Sequence, residues 1–178
     1  MFKSIPRLAF IAIRNGLIAG GLDFIFIVIL YYIGKHPFLF PVYFDFRLIL
    51  FSVFMVMGLK ELRDYHQQGL LSFGEGMVSN LLFTTFFALF IASLILLFCT
   101  IEPGFVSTYI EIATAQLKTL EPAIVERLGK EVFDKSLNAL PGTTGKELAI
   151  DYMIKSFIIS FFISIIISVI LRRQPKTL

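Results

Sequence analysis

The chain has 178 residues, 57% of them hydrophobic and 16% charged, with 21 phenylalanines, one cysteine and a net charge of +3. Soluble domains carry about 45–50% apolar residues even with glycine counted, and about 25% charged ones. The composition therefore excludes a disordered chain, a collagen-like chain, a disulfide scaffold and a single water-soluble core. What remains is a small multi-span membrane protein; the runs and charges taken below make it an all-α protein, a four-span transmembrane helical bundle with the lipid bilayer as its first partner and a single membrane domain over 1–178.

Lys3, Arg7 and Arg14 precede the first apolar run, and no small-residue cleavage pattern follows it. The run is expected to stay as a span rather than leave as a signal peptide. From Gly16 to Gly34 it is broken by Asp23 alone. At about 1.5 Å per residue it nearly covers about 30 Å of hydrocarbon, and the first span is expected over 12–34. A second span is expected over 38–60. It contains Asp45 and Arg47, and its uninterrupted part, Leu48 to Leu59, by itself reads as a buried or re-entrant helix. The third span, 76–101, includes an uncharged run from Met77 to Ile101; the fourth, 150–172, includes Tyr152 to Leu171 with only Lys155 charged. Barrel strands are shorter and alternate in polarity. Helices satisfy their own backbone in lipid, which is why long apolar runs imply them.

Charge placement predicts the topology. Arg7, Arg14, Lys60, Arg63, Arg172 and Arg173, with Lys3 and Lys176, flank the spans on one side. They stand against three acids there, Glu61, Asp64 and Glu75. The segment from Glu102 to Asp151 carries eight acids and five basic residues, a balance of −3. The excess of basic residues places both termini in the cytoplasm, and the location expected is a cell inner membrane.

The link between spans two and three holds Lys60, Glu61, Arg63 and Asp64, which can continue the second helix beyond the membrane. Lys60 and Asp64 are i,i+4 neighbours able to pair, for a few tenths of a kcal/mol. Gly69 is a plausible stop, and Ser72 with Glu75 has capping-box spacing. Beyond the third span, Val106, Ile110, Ala113, Leu117, Leu120 and Ile124 recur at helical steps. They predict an extramembrane amphipathic segment over 103–145. Pro122 kinks it or starts a second helix, with Thr119 as a possible cap. Pro141-Gly142 ends it, and Thr144 with Glu147 has the spacing to cap the last helix. This segment reads chiefly as helices lying over the bundle or on the outer bilayer surface, with partner binding or a lid as the sharper alternative. Its acidic balance argues against anchoring to anionic lipid.

Asp23 needs an explanation, because a charge in a membrane interior is costly and faces a partner or water. By helical rise it stands about 13–14 Å from Arg14, and Arg47 about 18 Å from Leu59. On antiparallel helices these depths are similar, which predicts an intramembrane polar pair, Asp23 with Arg47, direct or through water. The readings weighed for the pair are fixing helix register, moving protons or solutes, and a protonated Asp23 standing alone. Ala12, Gly16 and Gly20 recur every four residues, as do Ser156, Ser160, Ser164 and Ser168. Both stripes are expected to pack helices closely, with a polar conduit as the alternative for the serines. Asn80, Thr84 and Thr85 add polarity to the inner half of the third span.

No catalytic set, cofactor or metal site is expected. His36 and His66 fall in loops on opposite predicted sides, without ligand spacing. No phosphate-cradling loop and no nucleophile elbow occurs, and basic residues are too scattered for nucleic-acid recognition. Cys99 sits in an apolar run and reads as inert.

The stretch Gly58-Leu-Lys-Glu-Leu-Arg-Asp-Tyr65, then Gly69 and Ser72-Phe-Gly-Glu-Gly-Met77, resembles an uncharacterised membrane family of Bacteroidota, a domain of unknown function. The matching steps are Arg63-Asp64, Ser72-Phe73-Gly74 and Glu102-Pro103; Gly76-Met77 stand where the family has an Ala-Phe-like pair. The resemblance covers nearly the whole chain. It implies four spans and a bacterial inner-membrane location, and it supplies no activity.

The leading expectation for function is a non-enzymatic scaffold or accessory subunit of an envelope complex. Its partners would be a membrane or envelope protein or a second copy. The alternative is a small-solute or ion transporter or channel subunit using Asp23 and Arg47. An enzyme acting on lipid comes third, with Lys60 to Glu75 as its only candidate polar cluster.

Overall fold

A computed structural model describes residues 5–41, 45–120 and 122–174. Lys3, Glu121 and Lys176, counted in the charge balance above, lie outside them. Among the described residues the chain forms seven α-helices, and the only extended pairing is a single antiparallel bridge between Leu71 and Arg173.

Three helices are long and apolar enough to cross a membrane: α1 (Ile5–Tyr32), α3 (Phe73–Ile101) and α7 (Gly145–Leu171). Each starts earlier than the apolar run predicts. The reason for α3 and α7 is capping. Ser72 accepts from the Glu75 amide at 3.2 Å and Thr144 from the Glu147 amide at 3.3 Å. Each glutamate reaches back to its cap, closing two capping boxes.

The expected second span over 38–60 is not one helix. α2 runs over Phe46–Glu61, sixteen residues or about 24 Å, short of a hydrocarbon core of about 30 Å. Pro37 opens a short 3-10 turn, Pro37–Leu39, and Pro41 brings no amide hydrogen to a helix. Asp45 then caps α2, accepting from the Arg47 amide at 3.0 Å. At its other end α2 widens into a π turn, Leu62–His66, and stops where Gln68 and Gly69 take positive φ, +54° and +82°. The π turn brings residues five apart into register instead of four. The expected Lys60–Asp64 pair accordingly does not form; Asp64 accepts from its neighbour Arg63 at 2.6 Å.

The four long segments form a ring in which α1 packs on α3 and α2, and α7 packs on α3 and α2. α1 and α3 are parallel: Gly16 lies against Phe83, Phe24 against Phe98, and Tyr31 against Glu102. α7 runs antiparallel to α3, from Gly145 at Cys99 to Ser168 at Gly76. α2 runs antiparallel to α1, joined by Phe26–Phe46 stacking and an Arg14–Glu61 ion pair of 2.5 Å. Phe51, Phe83, Phe87, Ile91 and Ile95 fill the centre. The outer faces are apolar as well: Ile25, Ile158, Phe162 and Ile170 are exposed, the last two at 61% and 70%. Such surfaces suit lipid as solvent.

The helix directions gather the N-terminal end of α1, the π turn, the start of α3 and the C-terminal end of α7 at one end. Arg7 reaches His66 at 3.3 Å, and Leu71 and Arg173 exchange backbone bonds of 2.9 and 2.8 Å there. The opposite end carries α4 (Gly104–Lys118), α5 (Pro122–Leu128) and α6 (Lys130–Ala139). Of the two expected outcomes at Pro122, a kink or a second helix, the second is found, and a third helix follows it. Pro122 starts α5, but Thr119 closes α4, its hydroxyl donating back to the Gln116 carbonyl at 2.9 Å. Phe105, outside the predicted apolar stripe, is the fully buried anchor of α4, whereas no residue of α6 is buried.

Candidate functional site

Because α2 starts only at Phe46, α1 and α7 have no helix between them above that level. A cavity of about 220 Å³ lies there. Pro37, Phe38 and Phe40 from the connecting segment wall it on one side, and Lys155 and Ile158 lie exposed at its rim. Five charged side chains line it: Asp23 from α1, Asp45 and Arg47 at the start of α2, and Asp151 and Lys155 from α7.

The centre of this site is Arg47, 4% exposed. Asp45, two residues earlier, both caps the helix and holds the guanidinium. Nε donates to its two carboxylate oxygens at 2.8 and 3.0 Å, and Nη2 donates to Oδ2. Nη1 donates to the Tyr152 carbonyl at 3.0 Å and to Ser156 Oγ at 2.9 Å. The guanidinium carbon lies 3.9 Å from the centre of the Tyr152 ring, a cation–π contact. Every guanidinium nitrogen is engaged, as a buried charge requires.

Asp23 is 1% exposed and makes no ion pair with Arg47. Tyr152 stands between them. Its hydroxyl donates to Asp23 Oδ2 at 2.5 Å while its ring carries Arg47. The expected pair is therefore joined through a phenol rather than directly or through water. Asp45, nearer in sequence, takes the salt bridge, because a helix cap two residues away needs no second helix to reach the arginine.

The serine stripe faces inward throughout. Ser156 meets Arg47, Ser160 bonds Thr84, Ser164 points at Met77 sulfur at 3.7 Å, and Ser168 accepts from Asn80 at 3.4 Å. Its hydroxyls join α7 to α3 and α2. On α1, Ala12 is buried. A Cβ on Gly16 would stand 2.6 Å from the Phe83 carbonyl oxygen, and one on Gly20 would stand 3.0 Å from the Phe90 ring.

The candidates of the charged link between α2 and α3 gather at the other end of the bundle. Glu61 pairs with Arg14, and buried Arg63 pairs with Asp64 and donates to the Leu171 carbonyl at 3.5 Å. Glu75 closes the Ser72 cap and accepts from Gln67 at 2.9 Å, while Lys60 is exposed. Lys60, Glu61, Asp64 and His66 line an open groove there with Tyr65.

His36, at the same end as the cavity, is buried under Phe105. Its Nε2 bonds the Phe105 carbonyl at 3.1 Å, and its Nδ1 accepts from the Phe38 amide at 3.4 Å. A carbonyl only accepts and an amide only donates, so the imidazole is neutral with its proton on Nε2. Burial pushes its pKa down to about 4. Among the described residues no three His, Cys, Asp or Glu side chains could hold a metal ion. Asp23, Asp45 and Asp151 line one cavity without converging.

Sequence reasoning missed Tyr152 and Asp45 as parts of the site, and His36 as a buried anchor. A signal existed for two of them. Tyr152 lies one turn before Ser156 and so shares the face of the serine stripe. Asp45 has the cap position before an apolar run. Burial of His36 depends on Phe105, 69 residues away, and nothing local announces it.

A family described as a protein of unknown function, DUF4199, matches residues 14–173. The chain belongs to this family. The match spans the cavity, the serine stripe, the charged link and all of the α1 stripe except Ala12. No curated protein and no solved structure matches the chain.

Proposed function

We propose that this DUF4199 protein is a non-enzymatic integral protein of a bacterial inner membrane, a scaffold or accessory subunit of an envelope complex. The observation that carries this reading is the closed interior. Below the cavity Phe51, Phe83 and Phe87, each at most 2% exposed, fill the space between the helices. Arg47 and Lys155 are bound to carboxylates of their own chain. Both ion pairs are local. Helix register is supported by Arg47, which bonds across to Tyr152 and Ser156, and by Tyr152, which bonds across to Asp23. No nucleophile–base pair is set for chemistry among the described residues.

Helix direction supports a fourth crossing. α1 and α3 run parallel, so the chain must return across the bundle between Tyr32 and Phe73. α2 and the π turn provide helical backbone from Phe46 to His66, about 31 Å at helical rise. With the basic end inside, both termini are cytoplasmic and α4–α6 stand outside.

The partner surface in this reading is α5 and α6. Val132 is 56% exposed and Ile124 is exposed, and no part of α6 is buried. Phe133, Leu137 and Leu140 recur at steps of four and three. The acidic balance of the segment favours a protein partner over anionic lipid. Affinity purification from native membranes in mild detergent, with and without Phe133→Asp, tests it. Co-purification of one stoichiometric partner, lost in the variant, supports the reading. Recovery only as an isolated monomer under several gentle conditions overturns it. The second reading, a solute or ion transporter subunit, is favoured by the cavity reaching Asp23. Flux into proteoliposomes abolished by Asp23→Asn would replace the first reading with it.

A further inference from the structure

We propose that the cavity between α1, α2 and α7 binds a small organic ammonium ion with an apolar body, its cationic nitrogen at the carboxylate of Asp23. The assignment goes beyond the scaffold reading and does not depend on a protein partner.

The charge sorting of the cavity carries it. Three carboxylates and two cations line the space. Asp45 is committed to Arg47, and Asp151 to Lys155 at 2.6 Å. Asp23 is left over. Among the described residues it has no cation within 4.0 Å; Oδ2 accepts from Tyr152, and Oδ1 accepts no hydrogen bond. A buried carboxylate with one free oxygen is costly unless it is paired. An ammonium group supplies both the opposite charge and donors for a charge-assisted bond.

The rest of the lining selects what the ammonium can carry. Phe26 and Phe46 stack with ring centres 4.2 Å apart, and Phe38 stacks on Tyr152 at 5.1 Å. Leu30 and Ile159 complete an apolar wall. Aromatic faces accept both alkyl groups and cations. At about 220 Å³ the space lies below the roughly 300–1,000 Å³ of sites for drug-sized ligands, so the ligand is small. An anion is disfavoured, because three carboxylates face it and the donors of Arg47 are occupied. A divalent cation is disfavoured by the absence of three convergent ligands among the described residues. The same chemistry has two sources: a free amine, or the aminoethyl headgroup of a membrane lipid.

The test is calorimetric titration of the full chain at pH 7 with n-butylammonium, 1-butanol and butyrate. It is run in phosphatidylcholine nanodiscs and again in nanodiscs containing phosphatidylethanolamine. The expected result is binding of butylammonium at least about tenfold tighter than butanol, with no binding of butyrate. Asp23→Asn removes that preference while leaving butanol unchanged. Ile159→Trp, which keeps Asp23 and fills the cavity, weakens butylammonium and butanol alike, and so stands in if Asp23→Asn does not fold. Weakening of butylammonium by phosphatidylethanolamine identifies the lipid headgroup as the source; its absence identifies a free amine. Equal affinity for butanol and butylammonium, or no binding of butylammonium in either nanodisc, overturns the proposal. Neither outcome bears on whether a protein partner binds α5 and α6.

Discussion

The Tyr152 hydroxyl donates to Asp23 Oδ2 at 2.5 Å across the ring of helices, while the face of the same ring carries the Arg47 guanidinium at 3.9 Å. One side chain on α7 thus holds the acid of α1 and the base of α2 at fixed positions without letting them touch. Tyr152→Phe keeps the ring and removes the donor, leaving a buried carboxylate oxygen short of its bond. The expected loss is about 1–3 kcal/mol, read as a lower unfolding midpoint in detergent. In the double variant Tyr152→Phe with Asp23→Asn, the two losses should not add; full additivity would show that the bond contributes nothing.

Arg47 ties the start of α2 to α7, through Asp45 on its own segment and the Tyr152 carbonyl and Ser156 on the other. Arg47→Met removes the charge and keeps much of the apolar stem. Asp45 is then left partly buried without its cation, and destabilisation of about 3 kcal/mol is expected. Adding Asp45→Asn should restore part of it. No restoration, measured by the same thermal unfolding, would locate the effect in packing rather than in the ion pair.

Gly16 and Gly21 make a matched pair of probes on α1. A Cβ at Gly16 meets the Phe83 carbonyl oxygen at 2.6 Å, and backbone cannot swing away as a side chain does; a Cβ at Gly21 meets nothing within 4 Å. Gly16→Ala should destabilise by about 1–3 kcal/mol through separation of α1 from α3. Gly21→Ala should leave the unfolding midpoint unchanged or slightly raised. Equal behaviour of the two would contradict the close approach.

His36 makes stability depend on pH. Its pKa in the fold is about 4 against an ordinary value of 6.5, so the unfolded chain binds the proton more readily. The stabilisation is present above about pH 6.5 and is lost as pH falls through about 4. Its full size is at most about 3 kcal/mol. Wild type should lose more of its unfolding midpoint between pH 6.5 and 4 than His36→Gln does. Parallel profiles would show that protonation of this ring is not resisted.

Topology is open to labelling with a membrane-impermeant maleimide. In a Cys99→Ala background, Ser136→Cys on α6 should react from outside intact cells. Tyr65→Cys and Gln174→Cys should react only in inverted vesicles. Reaction of all three from one side would rule out four crossings with the basic end inside.

Much of the architecture was legible because lipid imposes a simple code. Runs such as Met77 to Ile101 need no neighbour to become helices, since each backbone group finds its partner within the run. The capping boxes at Ser72 and Thr144 were legible for the same reason: both partners lie within four residues. The second segment was misread in length, because an apolar stretch from Phe38 ignores what Pro41 and the Asp45 cap do to the backbone. The site was half legible. Asp23 and Arg47 announce themselves as charges in apolar runs, and the serines announce a face. That a tyrosine joins the two charges, and that Asp45 claims the arginine, is a matter of which helices become neighbours.

The amino-acid order alone determined that the chain is helical, that lipid is its solvent, where α3 and α7 are capped and which ends carry the basic residues. These properties depend on interactions over a few residues or on summed composition. Only the tertiary structure decided that α2 stops short, that a cavity opens where it does, and that Asp23, among the described residues, is left without a cation beside two satisfied ion pairs. Those outcomes depend on contacts between residues up to 129 positions apart. The energy of such contacts exists only once α1, α2 and α7 have packed side by side.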